Sequence, residues 1–68
     1  MEKPRPTKIA ELRNRIAFLK RREQKLREMI ASSLYSPELR ESAKRELSTV
    51  LDETRTAVTE LLRLEDEA

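Results

Sequence analysis

The sequence predicts an all-α protein, an antiparallel helical hairpin in which two helices form a two-helix coiled coil. Three observations carry this prediction. The 68 residues include no glycine, apolar residues recur at alternating steps of three and four, and the pair Ser36–Pro37 divides the chain. Tight strand turns and phosphate-binding loops depend on glycine at positive φ, so β structure and glycine-rich nucleotide sites are disfavoured.

Residues 1–7 are expected to form a flexible basic arm that precedes the hairpin. Pro4 and Pro6 disfavour a helix interior, because proline lacks the backbone N–H that a helix needs. Thr7 is expected to cap the first helix, since its hydroxyl can accept a hydrogen bond from a free N–H of the first turn. The hairpin itself is predicted over residues 8–65.

The first helix is predicted over residues 8–33, where apolar residues follow a heptad pattern of isoleucine and leucine. They are Ile9, Leu12, Ile16, Leu19, Leu26 and Ile30. Glu23 stands where the next apolar residue should be. It either sets the alignment, pairing with Lys44 or with an arginine of a second copy, or packs its stem while the carboxylate reaches the rim.

A turn over residues 33–36 leads to a second helix over residues 37–64. Ser36 as N-cap, Pro37 in the first turn and Glu38 beside it are a strong helix start. The apolar stripe of this helix is wide, covering about three positions in seven as in a helix with two neighbours. The residues expected at the seam are Leu47, Leu51, Val58 and Leu61.

Two helices of similar length joined by a short turn should fold back antiparallel. If the chain reverses at Tyr35, Leu19 faces Leu51 and Leu12 faces Val58. A chain this short seldom stabilises itself without a disulfide, a metal or an interface, and it has no cysteine or histidine. We therefore expect a homodimer in which two hairpins close into a four-helix bundle, or else a helical protein partner.

Charge is unevenly divided between the two halves of the chain. Residues 1–30 carry ten basic and four acidic side chains, net +6, whereas residues 31–68 carry five and nine, net −4. The acidic side chains of the second helix are expected to lie further from the seam than the basic ones of the first. Part of the positive surface should then contact an acidic partner or nucleic-acid phosphates, or remain a solvated face. The basic residues concerned are Arg13, Arg15, Lys20, Arg21, Arg22, Lys25 and Arg27.

Catalysis and small-molecule chemistry are not expected. Acid–base catalysis near neutral pH relies on histidine or on carboxylates whose pKa is raised by burial in a pocket. The sequence has no histidine, and a two-helix hairpin is not expected to form such a pocket. We expect no enzyme activity, cofactor, metal or small-molecule substrate. No apolar run reaches the roughly 20 residues that cross a bilayer, and Met1–Lys8 is unlike a signal peptide. A cytoplasmic location without membrane contact is expected.

The function expected is that of a non-catalytic interaction or regulatory protein that self-associates and docks protein partners. The alternative is a homodimeric nucleic-acid-binding regulator that uses the basic face of the first helix. In length and two-helix layout the chain resembles plasmid repressor-of-primer proteins, which are homodimeric bundles that bind paired RNA loops. It also resembles the small needle-subunit co-chaperones of type III secretion. The resemblance lies in size and layout and identifies no functional residues.

Overall fold

The computed structural model describes the backbone of residues 5–67 and the side chains of residues 7–67. It contains two helices, α1 (Arg5–Ala31) and α2 (Pro37–Glu67), which pack against each other along their length. The hairpin measures 46 × 20 × 14 Å. The prediction of an all-α hairpin is confirmed, and residues 5–67 contain no strand.

Helix α1 begins earlier than the sequence pattern predicted. It starts at Arg5, so Thr7 lies inside the helix and is not its N-cap. The first-turn N–H groups of a helix have no intrahelical acceptor, and a proline at Pro6 therefore costs no hydrogen bond there. Of the predicted basic arm, residues 5–7 belong to the helix and residues 1–4 lie outside the described part of the chain.

Helix α1 ends at Ala31, two residues before the predicted boundary, because Ser32 begins the turn. The Ser32 N–H donates to the carbonyl of Met29 at 3.3 Å, and the Ser32 hydroxyl accepts the N–H of Leu34 at 3.2 Å. The first bond satisfies a carbonyl that the end of the helix leaves open, and the second holds the turn. No described residue adopts positive φ, so the reversal needs no glycine.

Ser36 caps α2 in the manner that the Ser-Pro pair predicts. Its hydroxyl accepts the N–H of Leu39 at 3.3 Å, and its carbonyl accepts the N–H of Arg40 at 3.0 Å. Pro37 occupies the first helical position, where its missing N–H is tolerated. The helix continues to Glu67, three residues beyond the predicted end.

The seam between the helices joins large side chains of α1 to small side chains of α2. Leu19 and Leu26 are buried on α1, and Leu26 is only 1% exposed. On α2 the buried residues recur every seventh position: they are Ala43, Val50, Ala57 and Leu64. Small residues on one helix leave room for leucines of the other.

This seam corrects the one expected for α2. Leu47 and Leu61 are half-buried within the same three-four spacing, but Leu51 is 37% exposed and lies outside the seam of the hairpin. Val58, half-buried, lies on the same side as Leu51. The expected seam was centred on Leu51 and Val58, whereas α2 is turned so that Ala43, Val50, Ala57 and Leu64 are its most buried residues.

Replacement of Leu26 by alanine should unfold much of the hairpin. Removing a fully buried leucine costs about 2–5 kcal/mol, which is comparable with the whole stability of a domain this small. Urea unfolding followed by circular dichroism at 222 nm measures the change. Leu34→Ala is the matched control, because Leu34 is 93% exposed at the turn and should change stability by less than about 0.5 kcal/mol. Equal effects of the two changes would contradict this seam.

Candidate docking surface

One side of the seam, called here the closed flank, is lined by a row of ion pairs between the helices. Basic residues of α1 at seven-residue spacing meet acidic residues of α2 at the same spacing. The pairs are Lys8–Glu60 at 3.9 Å, Arg15–Glu53 at 3.5 Å and Arg22–Glu46 at 2.7 Å. Each exposed pair contributes about 0.2–1 kcal/mol, but the row fixes alignment because all three require the same register.

The opposite side of the seam, called here the open flank, has one ion pair between the helices at its first position and basic residues facing apolar residues at the next two. Arg13 meets Glu65 at 3.7 Å near the open end of the hairpin. Residues seven apart lie on nearly the same side of a helix. The next positions of this row are therefore Lys20 and Arg27 on α1, and Val58 and Leu51 on α2. Here basic side chains have apolar residues opposite them, where the closed flank has carboxylates.

The two flanks together give the register of the hairpin. The paired residue numbers sum to 68 on the closed flank and to 78 on the open flank, so residues facing each other across the centre sum to about 73. Leu26 thus faces Leu47, where the turn at Tyr35 had predicted Lys44. The contact cluster of Leu26, Leu47 and Ala43 agrees with this register.

An apolar stripe runs along the open flank of α2. Leu51 is 37% exposed and Leu62 is 62% exposed, with the half-buried Val58 between them. Leu62 lies four residues after Val58 and Arg55 four after Leu51, so all four side chains share one side of the helix. The stripe is bordered by Lys20 and the other cations of the flank. Leu51 and Leu62 are two of the three exposed leucines of α2, and the third is Leu39 near its first turn.

The basic residues singled out from the sequence divide into two groups. Arg13, Arg15, Arg22 and Arg27 form ion pairs. Within the described part of the chain, Lys20, Arg21 and Lys25 take part in none of the ion pairs. They follow one another around the solvent-facing side of α1, from the open flank outwards.

Glu46, Glu53 and Glu60 stand closer to the seam than the sequence pattern indicated. The expectation placed them away from the seam because it centred α2 on Leu51 and Val58. Turning α2 towards Ala43 and Ala57 brings the three carboxylates beside the seam, where they neutralise α1. The same rotation carries the apolar stripe out to the open flank.

Glu23 lies within the seam of α1 but pairs inside its own helix. Its carboxylate accepts a hydrogen bond from Arg27 at 3.1 Å, and its side chain is 27% exposed. Lys44, one of the partners considered for it, pairs with Glu41 at 3.4 Å instead. The stem of Glu23 therefore packs at the seam while the carboxylate reaches the rim.

Within residues 5–67, no cluster of three or more histidine, cysteine or acidic side chains is arranged to hold a metal ion. In the same region neither helix combines the length and apolar character of a membrane span. Comparison of the chain with protein-family models, with curated proteins and with solved structures finds no match. The geometry therefore identifies the structural class of the protein and no particular family. The class is an antiparallel two-helix coiled coil with one charge-paired flank and one open flank.

Arg55 was not singled out from the sequence. Leu62, Ala43, Val50 and Ala57 belong to the wide apolar stripe predicted for α2, but they were not among its expected seam residues. A strict seven-residue count on α2 would have found the seam, because Ala43, Val50, Ala57 and Leu64 keep that spacing without a break. Their small size hid the pattern behind the larger leucines.

Replacement of Leu51 by glutamate should leave the hairpin folded. Leu51 is outside the seam and opposite Arg27, so a carboxylate there can join the ion pairing of the open flank, which offsets part of the loss of the covered leucine surface. We expect the unfolding free energy to change by less than about 1 kcal/mol, measured by urea unfolding. Leu19→Glu is the matched comparison, because Leu19 is buried and a charge there should unfold the chain. If Leu51→Glu unfolded the chain as completely, Leu51 would belong to the core.

Proposed function

We propose that the protein is a non-catalytic interaction module whose hairpin docks another helix on its open flank. The observation that carries the proposal is the asymmetry between the flanks. The closed flank matches three cations with three carboxylates, while the open flank sets Lys20 and Arg27 beside an exposed apolar stripe. A row of exposed aliphatic side chains rimmed by charge is typical of a protein-binding surface.

The free energy gained by burying the apolar stripe indicates which further contacts a docked chain has to supply. Fully burying a leucine or valine contributes about 1.5–3 kcal/mol. Because Leu51, Val58 and Leu62 are already partly covered, covering them completely contributes roughly 2–4 kcal/mol in total. Association itself costs at least about 4 kcal/mol in lost freedom. A stable complex therefore needs apolar side chains from the docked helix and carboxylates that meet the cations.

Self-association is the form of docking that the sequence leads us to expect. In a four-helix bundle the stripes of two copies would cover each other, which doubles the buried apolar surface. The cost is electrostatic, because Lys20 and Arg27 of both copies approach one another. A dimer built on this face should consequently tighten when salt screens the repulsion.

The solution mass at two salt concentrations tests this arrangement. Sedimentation equilibrium should show a dimer that is tighter at about 0.5 M than at about 0.05 M salt, since the Debye length falls with ionic strength. Leu62→Ser should weaken the dimer at both concentrations, with the helicity of the hairpin retained. Leu34→Ser, equally polar but at the turn, is the control. A dimer that Leu62→Ser leaves unchanged would place the interface elsewhere.

Nucleic-acid binding is the second candidate, and it rests on three cations of α1 that form no ion pair among the described side chains. Lys20, Arg21 and Lys25 are available to phosphates, whereas the arginines of the closed flank are already neutralised. Contacts of this kind supply affinity without sequence specificity. The basic surface needed for this function is therefore narrower than the sequence alone indicated.

Replacing Lys20, Arg21 and Lys25 together by glutamine tests this second function. If duplex RNA or DNA is bound, affinity should fall and the slope of log K against log salt should decrease by about 0.9 for each lost phosphate contact. Fluorescence anisotropy of a labelled duplex across a salt series measures both. Arg45→Gln with Arg63→Gln removes two cations from other surfaces as a control. Unchanged binding after the triple replacement would exclude this basic surface.

A further inference from the structure

We propose that the chain docked on the open flank is an acidic amphipathic helix of a different protein. This inference rests on the proposed docking function and adds the chemistry of the partner. The docked helix would lie beside α1 and α2 as the third member of a three-helix bundle. Its apolar side chains would cover Leu51, Val58 and Leu62, and its carboxylates would meet Lys20 and Arg27.

The charge of the open flank favours such a partner over a second copy. The flank and the adjoining positions of α2 carry five cations, on Arg13, Lys20, Arg27, Lys44 and Arg55. Three carboxylates accompany them, those of Glu23, Glu41 and Glu65, and each is already bound to one of these cations. The net charge is therefore +2 on each copy. Two such faces repel each other, whereas an acidic helix is attracted.

Lys20 has no carboxylate opposite it on the hairpin, and Arg27, which is bound by Glu23 of its own helix, faces no carboxylate of α2. Three carboxylates beside the seam on α2, those of Glu46, Glu53 and Glu60, lie on the closed flank and pair with α1. The fourth, on Glu65, lies on the open flank and is bound by Arg13. On the open flank the positions opposite Lys20 and Arg27 are Val58 and Leu51. Lys20 thus keeps a free ammonium group within the described chain, at the edge of an apolar stripe.

The spacing of the residues along the open flank specifies the sequence pattern that a partner helix needs. Lys20 and Arg27 are seven residues apart, and so are Leu51 and Val58, which corresponds to about 10.5 Å along a helix. A partner helix that keeps heptad spacing meets both rows at once, with apolar residues on one stripe and glutamate or aspartate on the flank beside it. A duplex nucleic acid would use the cations but leave the leucine stripe uncovered.

Binding of two synthetic helices tests the proposal. One peptide of about three heptads carries leucine at a and d with glutamate at e and g, and the other has lysine in place of glutamate. Like charges keep each peptide from pairing with itself, and a single tryptophan reports binding because the protein contains none. The acidic peptide should bind at least about ten-fold more tightly than the basic peptide, and its affinity should fall with salt.

Variants of the protein locate the binding surface. Lys20→Gln with Arg27→Gln should weaken the acidic peptide about five- to ten-fold, and Leu62→Ser should weaken it by a similar factor. Lys20→Glu with Arg27→Glu should invert the preference, so that the basic peptide binds more tightly. Arg45→Gln with Arg63→Gln, which removes two cations elsewhere, should leave both affinities unchanged. Circular dichroism confirms that each variant stays helical.

Three outcomes of the peptide experiments would overturn the proposal. They are equal binding of the two peptides, no binding of either, and full binding of the acidic peptide after Lys20→Gln with Arg27→Gln. Capture of duplex RNA or DNA in place of the acidic peptide would also overturn it. If neither peptide binds but Leu62→Ser still dissociates a dimer, the docking function stands and only the acidic partner is lost. If Leu62→Ser changes neither the affinity for the peptides nor the dimerisation, the docking function fails as well.

Discussion

The rotation of α2 about its own axis is the constraint on which the rest of the structure depends. Leu19 and Leu26 of α1 need small neighbours, and Ala43 and Val50 supply them. Once α2 is turned to present these residues, its other sides are determined too. Three carboxylates come to rest beside the cations of α1, and the larger leucines move to the edge of the seam.

Close packing and ion pairing both favour the observed rotation of α2, whereas the area of buried apolar surface does not. Burying alanine in place of leucine gives up apolar area, which by itself would favour the opposite rotation. Closer packing of the helices and the ion pairs that end at Glu46, Glu53 and Glu60 offset that loss. Each pair is weak alone, and together they oppose a slide of one helix along the other because every pair would break at once.

The sequence was sufficient for the parts of the fold that local chemistry decides. Ser36 and Pro37 start a helix whatever lies nearby, and the spacing of Leu19 and Leu26 marks the buried side of α1. The stripe of α2 was ambiguous, because it is wide enough to contain two possible seams about one residue apart. Choosing between them needs the partner helix in three dimensions, since the decisive ion pairs join residues 24 to 52 positions apart. The position of the docking surface depends on which of the two seams faces α1, so the sequence predicted it only in part.

The difference between the two flanks has a consequence for the number of partners in the proposed docking. Because the closed flank carries the ion pairs between the two helices, the proposed docking uses the open flank alone. A surface that binds on one side alone makes complexes that terminate, because the bound partner leaves no equivalent site for another. Growth into filaments needs two complementary faces on each subunit, and the row of ion pairs from Lys8 to Arg22 removes one of them.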